Sequence, residues 1–341
     1  MPEMIAAVLR EIGKPLSVET VEVPDIADDE VLVETKYCGI CGTDLHIVEG
    51  FGYVPKLPHI LGHEPSGLVS KVGSKVKSLK PGDRVVPYLF VTCGECWYCK
   101  SGRDSMCSNL KGMIGVLSDG GFAQYFKAPA RNLFRLPDGV PLDVGALTPD
   151  AVITSVHAVY DRGNVHGARS AAVIGVGGVG QVIVQLLKDL GLSVVAVSRS
   201  DAKLTVARSM GAEFAWKPGE GDLGEKARAQ FGDGIDVVFD CVGSKDSMTE
   251  ALAMVKRCGR IVMVGEEEAQ IPVTSTQVAQ FELEIVGSRN GTRANMEFGL
   301  QLLGRGVIRP LISDVYPLER INEAIDRVRK GASGRVVVKI S

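Results

Sequence analysis

No sign of charge dominates this chain. Lysine and arginine total 38 against 41 aspartates and glutamates, a formal charge of −3. No basic face gathers phosphates, so neither nucleic acid nor an anionic membrane is expected as a partner. A long uninterrupted apolar run is also missing. Residues 170–187 come nearest, but Gln181 and Gln185 break them and glycines crowd one end. They read as a strand, a turn and a helix rather than a membrane span. The opening MPEMIAAVLREIG lacks the basic and then apolar pattern of an export signal, and a cytoplasmic protein with reduced thiols is expected. Histidine is scarce, at five, and no repeat or low-complexity segment appears.

Glycine is abundant. Its 40 residues in 341 amount to about 12%, against a usual level of roughly 7%, which predicts many tight turns and glycines at ligand loops. The apolar fraction of 45% suffices for real cores, and the length suggests two domains of roughly 150 residues each.

Four of the eight cysteines fall in CGECWYCKSGRDSMC, at Cys93, Cys96, Cys99 and Cys107. A disulfide framework does not suit a large chain in a reducing compartment, and a redox pair needs two thiols rather than four. Four thiolates at short spacing close a tetrahedron on zinc and leave no open position, so the site is structural and does no chemistry.

The first half reads as short strands. VLVETKY and SGLVSKVGSKVKSLKPGDRVVP alternate apolar and polar side chains, with Gly73, Pro81 and Gly82 as punctuation. No long helical period appears there, and a β-rich, barrel-like domain carrying the cysteine lobe is predicted. The pattern changes near Ala151, where AVITSVHAVYDRG suits a linking helix. Strands at 171–174 and 194–197 then alternate with helices near 179–190 and 203–210, and IDVVFDCVG, RIVMVG and LEIVGS add further strands. Such alternation means βαβ units and a parallel sheet.

Within that half, Gly175, Gly177, Gly178, Val179 and Gly180 belong to a G-x-G-x-x-G match that follows an apolar strand and opens a helix. The glycines let the backbone approach a pyrophosphate lying on the helix N-terminus. About 20 residues further on, a site for NAD normally offers an acid to the ribose hydroxyls. Here the strand ends VVAVSRSDAK, placing Ser198, Arg199, Ser200 and Lys203 there. A carboxylate repels a 2′-phosphate, whereas a hydroxyl beside a guanidinium binds one. NADP(H) is therefore expected over NAD(H), with Asp201 as the residue that would favour NAD.

A second constellation lies in KYCGICGTDLHIVEG and LGHEPSG, which bring Cys41, Thr43, Asp44 and His46 close in sequence, with His63 and Glu64 following. In order, CGICGTDLH, the Gly62-His63-Glu64 triplet, the four-cysteine lobe, the glycine loop, VFDCVG and RIVMVG resemble the zinc-dependent medium-chain alcohol dehydrogenases over essentially the whole length. The resemblance implies a GroES-like β-barrel-type catalytic domain at 1–151 with the zinc lobe at 93–107. It implies a Rossmann doubly wound parallel-sheet domain at 152–289 and a segment at 290–341 returning to the catalytic domain.

It further implies two zinc ions per chain, with Cys41 and His63 as catalytic ligands, Asp44 orienting His63, and Glu64 a carboxylate able to approach the metal. The third ligand position, often a cysteine in this family, is Asp150 here, with Glu64 as the substitute. One thiolate, one imidazole, one carboxylate and solvent make an open site of the catalytic type. Thr43 and His46 would relay the hydroxyl proton, and Thr154, Val242, Val264, Gly265 and Ser288 would meet the dinucleotide.

The implied activity is reversible hydride transfer between a small alcohol and an aldehyde or ketone, in a homodimer or homotetramer. Phe51, Tyr53, Tyr88, Leu89 and Phe90 are candidate substrate-lining residues. Rival readings are a zinc-free quinone or enone reductase, an NAD-preferring polyol or secondary-alcohol dehydrogenase, and a non-enzymatic NADPH-binding protein. Cys38, His59, His157 and Trp97 read as packing, and Cys241 and Cys258 as inert core thiols.

Overall fold

The computed structural model describes residues 2–341. The chain forms two compact units, one of residues 2–150 with Thr292–Arg305 and Pro310–Ser341, the other of Ala151–Gly291 with Gly306–Arg309. Among the described residues no helix is long and apolar enough to cross a membrane.

The first unit is organised around the 11-residue strand Glu30–Ile40. Its alternating Val31 and Val33 point into a core with Val69, Val85, Ile114, Phe126 and Leu133, each such side chain contributing about 1.5–3 kcal/mol on burial. The strand pairs antiparallel with Glu64–Val72, with Tyr125–Pro129 and with the last strand Arg335–Lys339. In that register Gly39 faces Glu64 on one side and Val337 on the other.

Directly after the strand comes a helix the sequence does not announce, Gly42–Glu49. Only Leu45, Ile47 and Val48 supply its apolar face, too few to show a period. A cap starts it instead: the Cys41 thiol accepts the Thr43 amide at 3.3 Å and Asp44 Oδ2 accepts the Cys41 amide at 3.0 Å. Gly50, at φ 81°, ends it in the left-handed conformation that glycine adopts without penalty.

Trp97 is not packed as expected. It is 65% exposed, with the Arg103 guanidinium 5.7 Å from its ring centre, because a loop wound around its own thiols offers an indole little to bury against. Tyr88, Leu89 and Phe90 are buried at 0%, 3% and 2% exposure, while Phe51 and Tyr53 stay half-buried.

The second unit holds six parallel strands. Counted along the chain they are Ser170–Ile174, Ser193–Val197, Phe214–Trp216, Ile235–Asp240, Val255–Met263 and Glu284–Gly287, and they lie in the order 3-2-1-4-5-6. That order places a topological switch between the first and fourth strands, where open α/β sheets bind ligands. The first strand, SAAVI, is buried at every position, as a central parallel strand must be. Cys258 corrects the expectation of a core thiol. Residues 256–259 leave the ladder between the pairs Ile235–Val255 and Val237–Arg260, and there Cys258 is exposed at φ 55° with its thiol 3.5 Å from a Glu282 oxygen.

The expected linking helix forms with unusual winding. Thr148–Val152 and His157–Arg162 are π turns on either side of the α turn Ile153–Val156, and such wide turns concentrate at functional sites.

Candidate functional site

Three local structures bring one thiol, one imidazole and two carboxylates together. Cys41 caps its helix, Glu64 starts the strand opposite Gly39 with His63 just before it, and Asp150 stands on the π turn. One ligand atom from each of Cys41, His63, Glu64 and Asp150 falls within 4.8 Å of all the others. Cys41 Sγ lies 3.2 Å from His63 Nε2, and Glu64 Oε1 lies 3.9 Å from the same nitrogen. Ligands bound to zinc at about 2.0–2.3 Å in a tetrahedron stand some 3.3–3.8 Å apart, so the donors fit that ion.

Asp44 steadies two of these ligands. One of its oxygens holds the Cys41 amide, and the other is 3.3 Å from His63 Nδ1, close enough for charge attraction though too bent for a full hydrogen bond. Asp44 is itself fully buried. The arrangement fixes which imidazole nitrogen faces the cluster.

The electrostatics call for a cation. Burial pushes the Cys41 thiol up, against the pull of His63. Burial alone would lower His63, but the Cys41 and Asp44 charges outweigh it and raise the imidazole well above its usual range. Burial also lifts Glu64 to about 7, although the Arg335 guanidinium opposes this. One Glu64 oxygen is paired with Arg335; the other is buried with no partner.

Arg335 escaped the sequence reading, which took GRVVVKIS only as a last strand. It lies 271 positions from Glu64, and the sole hint was an arginine opening an apolar run. Thr43 is half-buried on the capped helix, and His46, one turn on and half-buried, sets its ring edge-on to Phe51 at 4.9 Å.

The four-cysteine lobe is a second donor set. Its sulfurs are separated by 3.5 Å for Cys96–Cys99, 3.6 Å for Cys93–Cys107, and 3.9 Å for both Cys93–Cys99 and Cys96–Cys107. A disulfide needs about 2.05 Å, whereas a tetrahedron of thiolates at about 2.3 Å from zinc has edges near 3.8 Å. Backbone amides at Cys99 and Ser108 draw Cys96 down to about 6, while burial pushes Cys99 up to about 12.

The glycine loop divides its labour. Gly175 takes φ 87°, and a Cβ there would meet Val242 at 2.6 Å. A Cβ on Gly180 would strike the Gly175 carbonyl oxygen at 2.2 Å, so that glycine serves helix–strand packing. A Cβ on Gly177 would meet nothing within 4 Å. The open ground over Gly177, at the N-terminus of helix Gly178–Asp189, is the cradle a pyrophosphate needs.

Around the loop, Val242 follows the fourth strand and Val264 and Gly265 follow the fifth, with a Cβ on Gly265 standing 2.3 Å from the Val242 carbonyl carbon. Ser288 is buried with an unpartnered hydroxyl, and the Thr154 hydroxyl accepts from Asn290 at 3.5 Å.

At the second strand's end, Ser198 Oγ accepts the Ser200 amide at 3.2 Å, and Ser200 caps the next helix by accepting the Lys203 amide. Arg199 is exposed. Asp201 pairs with Lys217 at 2.8 Å. A separate cavity of about 710 Å³ touches none of the four clustered ligands.

Comparison with known proteins agrees with this geometry. Residues 27–138 match the alcohol dehydrogenase GroES-like domain, and residues 178–305 match the zinc-binding dehydrogenase domain. An alcohol dehydrogenase of Geobacillus stearothermophilus is 38% identical over 99% of this chain and 100% of its own length. The sorbitol dehydrogenase of Bacillus subtilis is 32% identical over 96% of this chain and 94% of its own. A zinc-binding dehydrogenase of Sinorhizobium meliloti, solved bound to NADP, superposes with a TM-score of 0.90 at 30% identity, covering both chains fully. The chain belongs to the zinc-dependent medium-chain alcohol dehydrogenases.

Proposed function

We propose that this protein oxidises a small alcohol to an aldehyde or ketone, and catalyses the reverse, with NADP(H) as the hydride carrier and two zinc ions per chain. The observation that carries the reading is the cluster of buried Cys41 and His63 with half-buried Asp150, and buried Glu64 beside them, all within 4.8 Å. Zinc held by such residues supplies Lewis acidity, lowering the pKa of a hydroxyl and polarising a carbonyl. NADP supplies the hydride acceptor.

The chain's own residues do the rest. Cys41 and Asp150 provide the anionic donors, and Asp44 keeps His63 aimed at them. Thr43 Oγ1 takes the substrate's hydroxyl proton in a hydrogen bond, and His46 hands it to solvent, since an imidazole exchanges protons near neutral pH. Cys93, Cys96, Cys99 and Cys107 hold the second ion as a structural clamp.

For the dinucleotide, Gly175 through Gly180 receive the pyrophosphate. Ser198, Arg199 and Lys203 receive the 2′-phosphate, and Thr154, Val242, Val264, Gly265 and Ser288 line the nicotinamide side. The engagement of Asp201 with Lys217 supports NADP, because that acid is already paired. A homodimer or homotetramer working in the cytoplasm completes the reading. The sorbitol dehydrogenase relative favours a second possibility, an NAD-linked polyol oxidation.

The test is metal analysis combined with a panel of alcohols, aldehydes and ketones run in both directions with each cofactor. The expected result is two zinc ions per chain and a higher kcat/KM with NADP(H). Turnover without zinc would point to the enone-reductase reading, and binding without turnover to a non-enzymatic role.

A further inference from the structure

We propose that Gly39 is a positioning residue for the metal site: by lacking a side chain it gives the Glu64 carboxylate room to rest on Arg335 rather than close in further on Cys41, His63 and Asp150. Glycine inside a strand weakens it, and where it occurs it marks a close approach by another group. Gly39 lies inside Glu30–Ile40, paired on both sides. Its backbone is not among those with positive φ, so no left-handed conformation requires glycine there.

What requires it is Glu64. A Cβ on Gly39 would stand 2.3 Å from Glu64 Oε2, 3.0 Å from Cδ and 3.1 Å from Cβ. The struck atom is the end of a side chain with torsional freedom, so the carboxylate rather than the sheet would yield.

Its direction of escape is constrained. Glu64 is 0% exposed, which closes the route to solvent. One oxygen is held by Arg335, and the same oxygen is 3.9 Å from His63 Nε2. Pressed from Gly39, the carboxylate moves towards Cys41, His63 and Asp150, with which it already shares a 4.8 Å cluster. Four protein ligands close a tetrahedron in the manner of a structural site, and three leave a position for substrate. Gly39 therefore keeps that position open. The inference rests on the reading of Cys41, His63 and Asp150 as zinc ligands.

The experiment compares wild type, Gly39→Ala, Glu64→Ala and the double variant. It reads zinc release to a chelator, the visible absorption of the cobalt-loaded proteins, and kcat and KM separately. In Gly39→Ala zinc release should slow and kcat fall, each by about tenfold, the lower end of the 10–100-fold range for residues supporting a metal ligand. The cobalt spectrum should shift in the same variant. Against Glu64→Ala, the added Gly39→Ala change should have no effect on any readout. Should Gly39→Ala fail to fold while the double variant folds and loads zinc, the clash with Glu64 is equally shown. Wild-type behaviour of Gly39→Ala, an effect that persists without Glu64, or failure of both Gly39 variants to fold would overturn the inference. A wild type that takes up no ion beyond the lobe's would overturn the zinc reading beneath it.

Discussion

Asp104, in the loop between Cys99 and Cys107, accepts the backbone amide of Arg293 at 3.3 Å. Asp104 is buried, and Arg293 opens the helix Arg293–Gly304 with its guanidinium 4.9 Å from the Phe134 ring centre. The cysteine lobe thus helps to seat a helix that arrives 189 positions later. Asp104→Ala should lower stability by about 1–3 kcal/mol, the usual loss when a buried donor loses a charged acceptor. Cys96→Ser, which spoils the clamp, should do the same less directly. Hydrogen exchange at residues 293–296 should rise in both variants, while turnover per folded molecule changes little. Unchanged exchange there in Cys96→Ser would separate the lobe from the helix.

In the proposed zinc site, Asp150 is the acid that would fill the third position. Removing a residue that merely supports a ligand costs 10–100-fold in metal affinity, so Asp150→Ala should cost at least about 100-fold and bring turnover to background. Zinc content should drop by one ion per chain, with the thiolate lobe still loaded. Two zincs and full activity in that variant would assign the position to Glu64 instead, whose carboxylate lies in the same cluster.

How much of this was legible in the sequence depended on whether the partners were close along the chain. Cys93 to Cys107 and Gly175 to Gly180 are contiguous devices, so their spacing carries their geometry. The parallel unit was legible because short apolar runs such as AAVI at 171–174 and VVF at 237–239 alternate with helical stretches. The helix Gly42–Glu49 was not, because a side-chain cap rather than a periodic face starts it. Gly39 and Arg335 act on Glu64 only through sheet register, and nothing in their local sequence marks them. The burial of Tyr88 and Phe90 was not legible from residue type, because the surrounding strands settle it.

Asp236 ties the first and fourth strands of the parallel unit at their starts. Its Oδ2 accepts the Arg169 amide at 3.0 Å, the Ser170 amide at 2.9 Å and the Ser170 hydroxyl at 2.8 Å, and the carboxylate pairs with Lys256. Burial would raise its pKa, but Lys256 and the Ser170 donors win and hold it down at about 2. The unfolded value is near 3.9. A depressed carboxylate contributes stability above the unfolded pKa and loses it as pH falls through the folded one. Asp236→Asn should therefore be less stable than wild type by about 1 kcal/mol at pH 5–7, allowing for solvent screening. That deficit should shrink between about pH 4 and pH 2. Denaturant midpoints across this range would check it, and a deficit independent of pH would refute the linkage.

In the proposed reading, cofactor choice would turn on Ser198 and Arg199. The serine oxygen already accepts the Ser200 amide, which leaves its hydroxyl proton to donate, and Arg199 is exposed. A phosphate dianion would gain from both, since hydrogen bonds to charged groups contribute about 1.5–3 kcal/mol each, or roughly tenfold to a hundredfold in affinity. Replacing Ser198 by Asp and Arg199 by Gln reverses both terms. An acid then meets the ribose hydroxyls and repels the 2′-phosphate. The ratio of kcat/KM for NADP to that for NAD should fall by at least about 100-fold, mainly through KM for NADP. Wild-type preference in the double variant would show that the phosphate is read elsewhere. Lys203, in the first turn of the helix capped by Ser200, would then be the next residue to change.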